Sequence, residues 1–76
     1  MTTFERLKSL IDTVFEGDID TKNVTEETVL KDMGLNSIGF LYMAVAIEEE
    51  FGVKFTNADF ASIITVQNVI DIIEGR

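Results

Sequence analysis

The 76-residue chain contains no histidine and no cysteine. A self-activated serine nucleophile needs a base beside it, and none is recognisable near Ser37, the serine of interest below, so catalysis of the triad kind has no parts to work with. Without cysteine, disulfides and thiolate metal sites are excluded, and helix packing has to hold the domain together. Basic residues are also scarce: 6 Lys and Arg stand against 14 Asp and Glu, for a net charge of −8. Phosphate contacts need Lys and Arg, so neither nucleic acid nor an anionic membrane surface is an expected partner, and basic protein partners are. The same charge also serves solubility alone. No apolar run approaches the ~20 residues of a membrane span, and Met1-Thr2-Thr3-Phe4-Glu5-Arg6 lacks the charged segment and apolar core of a secretory signal. A soluble, cytoplasmic protein is expected.

What is present is apolar content of 46%, high for so short a chain, which argues for one folded domain over residues 1–76. Phe4, Leu7, Leu10, Ile11 and Val14 recur at helical spacing, and Thr2 with Glu5 forms a possible capping box, giving a first helix over about 3–15. Gly17 and the polar run Asp18 to Asn23 end it and open a loop to about residue 35. A loop this long in a small domain should be pinned, and Ile19, Val24, Val29, Leu30, Met33 and Leu35 are the pins available. Thr25-Glu26-Glu27-Thr28 is a candidate for a short helical turn within it. Asp18 and Asp20 suggest calcium only until the later ligand positions are checked: Lys22, Asn23 and Val29 stand where an EF-hand needs an oxygen, a glycine and a glutamate, and no metal site is assigned.

A second helix is predicted over 37–51. At ~100° per residue, Phe40, Met43, Ala44, Ile47 and Phe51 share one arc, assigned to the core, and Ile38, Tyr42, Val45 and Glu49 lie opposite. Its terminal glutamates oppose the helix dipole, a cost from which a purely structural helix would gain nothing. Gly52-Val53-Lys54-Phe55 breaks it. Thr56 or Asn57 can cap a short third helix bearing Ala58, Phe60, Ala61 and Ile63, and Thr65 caps a fourth with Val66, Val69, Ile70 and Ile73, stopped by Gly75. Because proline is absent and β-branched residues are frequent, short strands at 53–55 or 63–66 are the alternative there. The expected fold is all-α, four helices with a long first loop and a short third helix.

The stretch Gly34-Leu35-Asn36-Ser37-Ile38-Gly39-Phe40 places a turn glycine, then Asn36 or Ser37 as N-cap, then the long helix. That leaves the Ser37 hydroxyl at the helix mouth, where another enzyme can reach and modify it. Leu35-Asn36-Ser37-Ile38, with Leu30-Lys31-Asp32-Met33-Gly34 before it, resembles the acyl carrier protein signature. The likeness continues through Ala46-Ile47-Glu48-Glu49-Glu50-Phe51-Gly52-Val53 and again at Ile64-Thr65-Val66-Gln67, and covers nearly the whole chain.

The resemblance implies a helical bundle of acyl-carrier type, with 4′-phosphopantetheine bound covalently at Ser37 and Asn36 flanking it. It also implies a phosphopantetheinyl transferase and acyl- or aminoacyl-loading and acyl-transferring enzymes as partners. The helix beginning at the modified serine would be the docking face, here Ile38, Tyr42 and Val45 rimmed by Glu48 and Glu49. The protein would catalyse nothing and act as a monomer. Asn36 stands where most members have Asp, Gly39 where fatty-acid carriers usually have Asp, and Tyr42 where their stripe includes an acid. These departures point to a dedicated pathway, of polyketide, nonribosomal-peptide or D-alanyl type, in preference to general fatty-acid synthesis. The alternative is an unmodified interaction module of carrier shape that docks through the second helix.

Overall fold

The computed structural model describes residues 1–75. Four helices form where capping residues and apolar spacing coincide: α1 (Thr3–Val14), α2 (Ser37–Phe51), α3 (Asn57–Ser62) and α4 (Val66–Ile73). Thr2 caps α1 in a reciprocal box, its hydroxyl accepting from Glu5 N at 3.1 Å while its own N–H donates to Glu5 Oε1 at 2.9 Å. Thr56 with Asp59 and Thr65 with Asn68 repeat the device at α3 and α4. Three reciprocal boxes satisfy amides that helix starts otherwise leave without partners.

The core is built from Leu7 and Ile11 of α1, Met43 and Ile47 of α2, Val66, Val69 and Ile70 of α4, and three residues of the long loop, Ile19, Val24 and Leu30. The expected arc of α2 faces inward, with Met43, Ala44 and Ile47 buried and Phe40 and Phe51 half-buried. Helix α3 buries no residue fully and closes one side of the bundle. The loop between α1 and α2 is pinned as its apolar residues require, and Thr21, itself buried, donates to Asp12 Oδ1 at 2.7 Å to tie it back to α1.

Two local expectations are corrected. The short helical turn in the loop is a 3₁₀ turn at Leu30–Met33, not at Thr25–Thr28. Thr25 to Thr28 closes on itself through Thr28 N to Thr25 O (3.1 Å), and the carbonyls that a helix would use there go elsewhere. Glu26 O accepts from Gln67 N at 2.7 Å and Thr28 O from Val66 N at 3.0 Å, so the loop satisfies the first amides of α4. The strand alternative reduces to a single antiparallel bridge between Val29 and Thr65, reinforced by Leu30 N to Ile64 O at 2.9 Å. Phe55 N donates instead to Glu48 Oε2 at 2.8 Å, which removes the 53–55 segment from any ladder.

The terminal glutamates of α2 are therefore not free of structural benefit. Glu48 holds the α2–α3 connection, and Glu50 lies 3.7 Å from the Arg6 guanidinium, which also sits 4.5 Å over the Phe51 ring.

Ile47 is wholly buried at the centre, so Ile47→Ala should destabilise the domain by about 2–5 kcal/mol, read as a fall in the urea midpoint at unchanged slope. The Glu5 carboxylate is held below its ordinary range, first by the Thr2 backbone N–H and then by the Thr2 side chain. A depressed folded pKa gives stability that is present above the unfolded value and lost as pH falls through the folded one. The stability difference between the native protein and Glu5→Gln should accordingly shrink to nothing in acid urea titrations.

Candidate functional site

The mouth of α2 is set by three consecutive features. Gly34 adopts φ 83°, a left-handed conformation that ends the 3₁₀ turn and that a side chain would resist. Leu35 then packs against the core, half-buried. Asn36 is the N-cap: its Oδ1 accepts from Gly39 N at 2.7 Å, and its carbonyl accepts from Phe40 N at 2.9 Å. The two cap candidates are thereby separated, because Asn36 takes the capping role and Ser37 becomes the first residue of the helix.

This division has a chemical consequence. A capping hydroxyl is occupied with backbone amides, whereas the Ser37 hydroxyl makes no hydrogen bond with any described residue and is exposed. The Ser37 and Ile38 amides are likewise without acceptors among the described residues, and the first turn of α2 holds no acid. Free amides and the positive end of a 15-residue helix favour an anion at this point. Asparagine caps about as well as aspartate, so Asn36 keeps the geometry and gives up only the charge. Gly39 fits the same arrangement. A Cβ there would lie 3.3 Å from Asn36 Oδ1 and 3.4 Å from Leu35 Cδ2, so a side chain would press on the cap itself.

Beside Ser37 an open cleft of about 660 Å³ runs between the 3₁₀ turn, α2 and the α3–α4 connection. Its walls are mostly apolar, among them Leu35, Phe40, Leu41, Phe60, Ile63 and Ile64, and its lining contains Lys31 and no carboxylate. In a chain of net charge −8, that is a local environment suited to a phosphodiester. Ser37 and Asn36 both border the cleft, so hydroxyl, free amides and apolar walls meet at one place.

The opposite stripe of α2 is exposed as its spacing requires: Ile38 at 67%, Tyr42 at 66% and Val45 at 53%, with Glu49 beside them. Leu41, 55% exposed, belongs to the same surface and was missed; it lies three residues after Ile38 and four before Val45, the helical-neighbour spacing that would have found it. Ile64, at 60%, was missed for a different reason, since only the tertiary fold brings it to the cleft. Glu48 is half-buried with one oxygen committed to Phe55 N, while the Glu49 carboxylate makes no ion pair or hydrogen bond with any described residue. Of the two acids, Glu49 is thus the one with an unengaged carboxylate.

The structure is thus an acidic helical bundle with an unengaged serine at the start of its longest helix, beside an open apolar cleft, a small helical domain of carrier type. Residues 5–73 match the family described as phosphopantetheine attachment site. The acyl carrier protein of Thermotoga maritima is 35% identical over 74 residues, covering 96% of this chain and 89% of that protein. That of Coprothermobacter proteolyticus is 33% identical over 75 residues, covering 96% and 88%. The solution NMR structure of holo acyl carrier protein from Geobacter metallireducens superposes with a TM-score of 0.83 at 22% identity, covering 99% of this chain and 85% of that one, a likeness of fold. The chain belongs to the phosphopantetheine-binding acyl carrier protein family: it is a carrier and not a catalyst, and its prosthetic group is 4′-phosphopantetheine. Proteins of this family work with a phosphopantetheinyl transferase and with biosynthetic enzymes.

Asn36→Ala should lower stability by about 1 kcal/mol through loss of the cap, and Asn36→Asp should match the native protein or exceed it by ~0.3–1 kcal/mol, since a charge is added at the positive helix end. Urea denaturation of the three proteins at neutral pH checks both.

Proposed function

We propose that Ser37 is the attachment point of the phosphopantetheine arm and that the protein carries an acyl or aminoacyl group for a dedicated biosynthetic pathway. The observation that supports this most is the Ser37 hydroxyl itself, exposed and without a hydrogen bond to any described residue while its neighbour does the capping. In the loading reaction the Ser37 oxygen replaces the adenosine bisphosphate portion of coenzyme A at phosphorus. The hydroxyl proton leaves to a base on the transferase, because this chain offers none beside it. The Ser37 and Ile38 amides and the positive end of α2 then face the phosphodiester, with Lys31 on the adjoining cleft wall. When bound, the arm supplies the thiol that the chain lacks, on which cargo is held as a thioester. Tethering raises the local concentration of cargo at a docked enzyme into the millimolar range.

Docking is assigned to the exposed face of α2, with Ile38, Leu41, Tyr42 and Val45 at its centre and Glu49 at its rim. Tyr42 in place of an acid makes this face more apolar than a general fatty-acid carrier of the family presents, so the matching enzymes should offer a less basic, more apolar surface. The protein acts as a monomer in the cytoplasm in this account.

Incubation with coenzyme A and a broad-specificity phosphopantetheinyl transferase should add one phosphopantetheine to the intact mass of the native protein and none to Ser37→Ala. No addition with several transferases, to native protein or to Asn36→Asp, would favour an unmodified interaction module. Tyr42→Glu should reduce loading by the cognate enzyme, measured as the yield of acylated protein, and improved loading would contradict the apolar docking face.

A further inference from the structure

We infer that Asn36 is a site of spontaneous modification: in the folded protein its side-chain amide is lost as ammonia through attack by the Ser37 backbone nitrogen, leaving aspartate and isoaspartate at residue 36. The inference stands apart from the assignment of the arm to Ser37, because it uses the backbone of that residue and not its hydroxyl.

The Ser37 nitrogen and Asn36 Cγ are the two ends of what becomes a five-membered ring, so the attack is intramolecular and carries little entropic cost. The nitrogen gives its proton to a base in the solvent and bonds to Cγ. The Cγ–Nδ2 bond then breaks, and Nδ2 leaves as ammonia with a proton taken from water. Water opens the resulting cyclic imide at either carbonyl, so in sum one water is consumed and one ammonia released.

The requirements of this reaction meet at the mouth of α2. The attacking nitrogen has to lose its proton. The Ser37 N–H has no acceptor among the described residues, and it lies at the positive end of α2, which favours the resulting anion. The carbonyl has to be polarised. Gly39 N donates to Asn36 Oδ1 at 2.7 Å, and Oδ1 is the atom on which negative charge develops as Cγ becomes tetrahedral, so the capping bond doubles as an oxyanion donor. The leaving group has to be free, and Asn36 Nδ2 makes no hydrogen bond with any described residue. Both residues are exposed, and serine carries no branch at Cβ to hinder the approach.

The other asparagines each lack one of these features. Asn23 precedes Val24 and Asn68 precedes Val69, both buried and β-branched, with their N–H groups bonded to Thr21 O at 3.3 Å and Thr65 O at 3.4 Å. Asn57 precedes the unbranched Ala58, but no described residue donates to its side-chain oxygen. The two products at residue 36 differ in consequence. Aspartate caps as well as asparagine does, whereas isoaspartate routes the backbone through Cγ, adds a methylene before Ser37 and takes the capping oxygen out of place.

The test is to age the native protein in mildly alkaline buffer, folded and in parallel unfolded in urea. Peptides spanning each asparagine are followed by mass, and isoaspartate is read with an isoaspartyl methyltransferase. In the folded protein the peptide containing residue 36 should show the amide-to-acid mass change several-fold faster than those containing Asn23, Asn57 or Asn68, with isoaspartate among the products. Ser37→Val, which places a β-branched residue after an intact cap, should slow the change several-fold. Retention of the Asn36 amide in folded protein while unfolded protein loses it would overturn the inference, since the cap would then protect. Another asparagine reacting first in the folded protein, aspartate formed without isoaspartate, or an unchanged rate in Ser37→Val would overturn it equally.

Discussion

One hydrogen bond, from Gly39 N to Asn36 Oδ1, decides what the start of α2 can do. A helix begins with amides that need acceptors, and if the residue before Ser37 could not supply one, the serine hydroxyl would be the nearest substitute. Asn36 supplies it, and the hydroxyl is left exposed with no partner among the described residues. A Cβ at residue 39 would lie 3.3 Å from the cap oxygen, so a side chain there would ask the cap to shift by a few tenths of an ångström. With neither position acidic, the helix mouth keeps its positive end uncompensated, and Lys31 on the cleft wall adds to it.

The cap in turn depends on a frame supplied from far along the chain. Besides its buried apolar pins, the long loop is clamped to the α3–α4 connection on its way to the mouth of α2, through Leu30 N to Ile64 O, Val66 N to Thr28 O and Gln67 N to Glu26 O. These bonds satisfy amides at the start of α4 and at once fix the 3₁₀ turn that delivers Gly34, Leu35 and Asn36. The cleft is a by-product of this arrangement. Its apolar walls come from the 3₁₀ turn, α2, α3 and the α3–α4 connection, and no single segment of sequence contains them.

That difference marks what could be read from the sequence. The helices were legible because each is announced by a cap and an apolar period within a few residues: Thr2 with Glu5 for α1, Thr65 before Val66, Val69 and Ile70 for α4, and the Met43, Ala44, Ile47 arc for the core side of α2. Ser37 stood out as a candidate because its neighbours resemble a family signature. What was not legible depends on long-range pairing. Asn36 and Ser37 are both good caps, and only the geometry of the turn separates them. No helical turn forms at Thr25–Thr28, because the carbonyls of Glu26 and Thr28 are taken by α4, a partner outside the local sequence. The bond from Phe55 N to Glu48 at 2.8 Å joins residues seven apart across a helix end, which helical spacing alone does not show. The exposure of Ile64 and the ring cluster of Phe40, Phe55 and Phe60 are likewise products of the packed fold.

The central claim is that the Asn36 cap frees Ser37 for modification, and initial rates of phosphopantetheine transfer to native protein, Asn36→Asp and Asn36→Ala, taken at subsaturating carrier under conditions where all three are folded, test it most directly. Loss of the cap should slow Asn36→Ala, because the Ser37 hydroxyl becomes the nearest acceptor for the helix amides, while Asn36→Asp should be modified at least as fast as the native protein. An Asn36→Ala variant modified at the native rate would contradict the account.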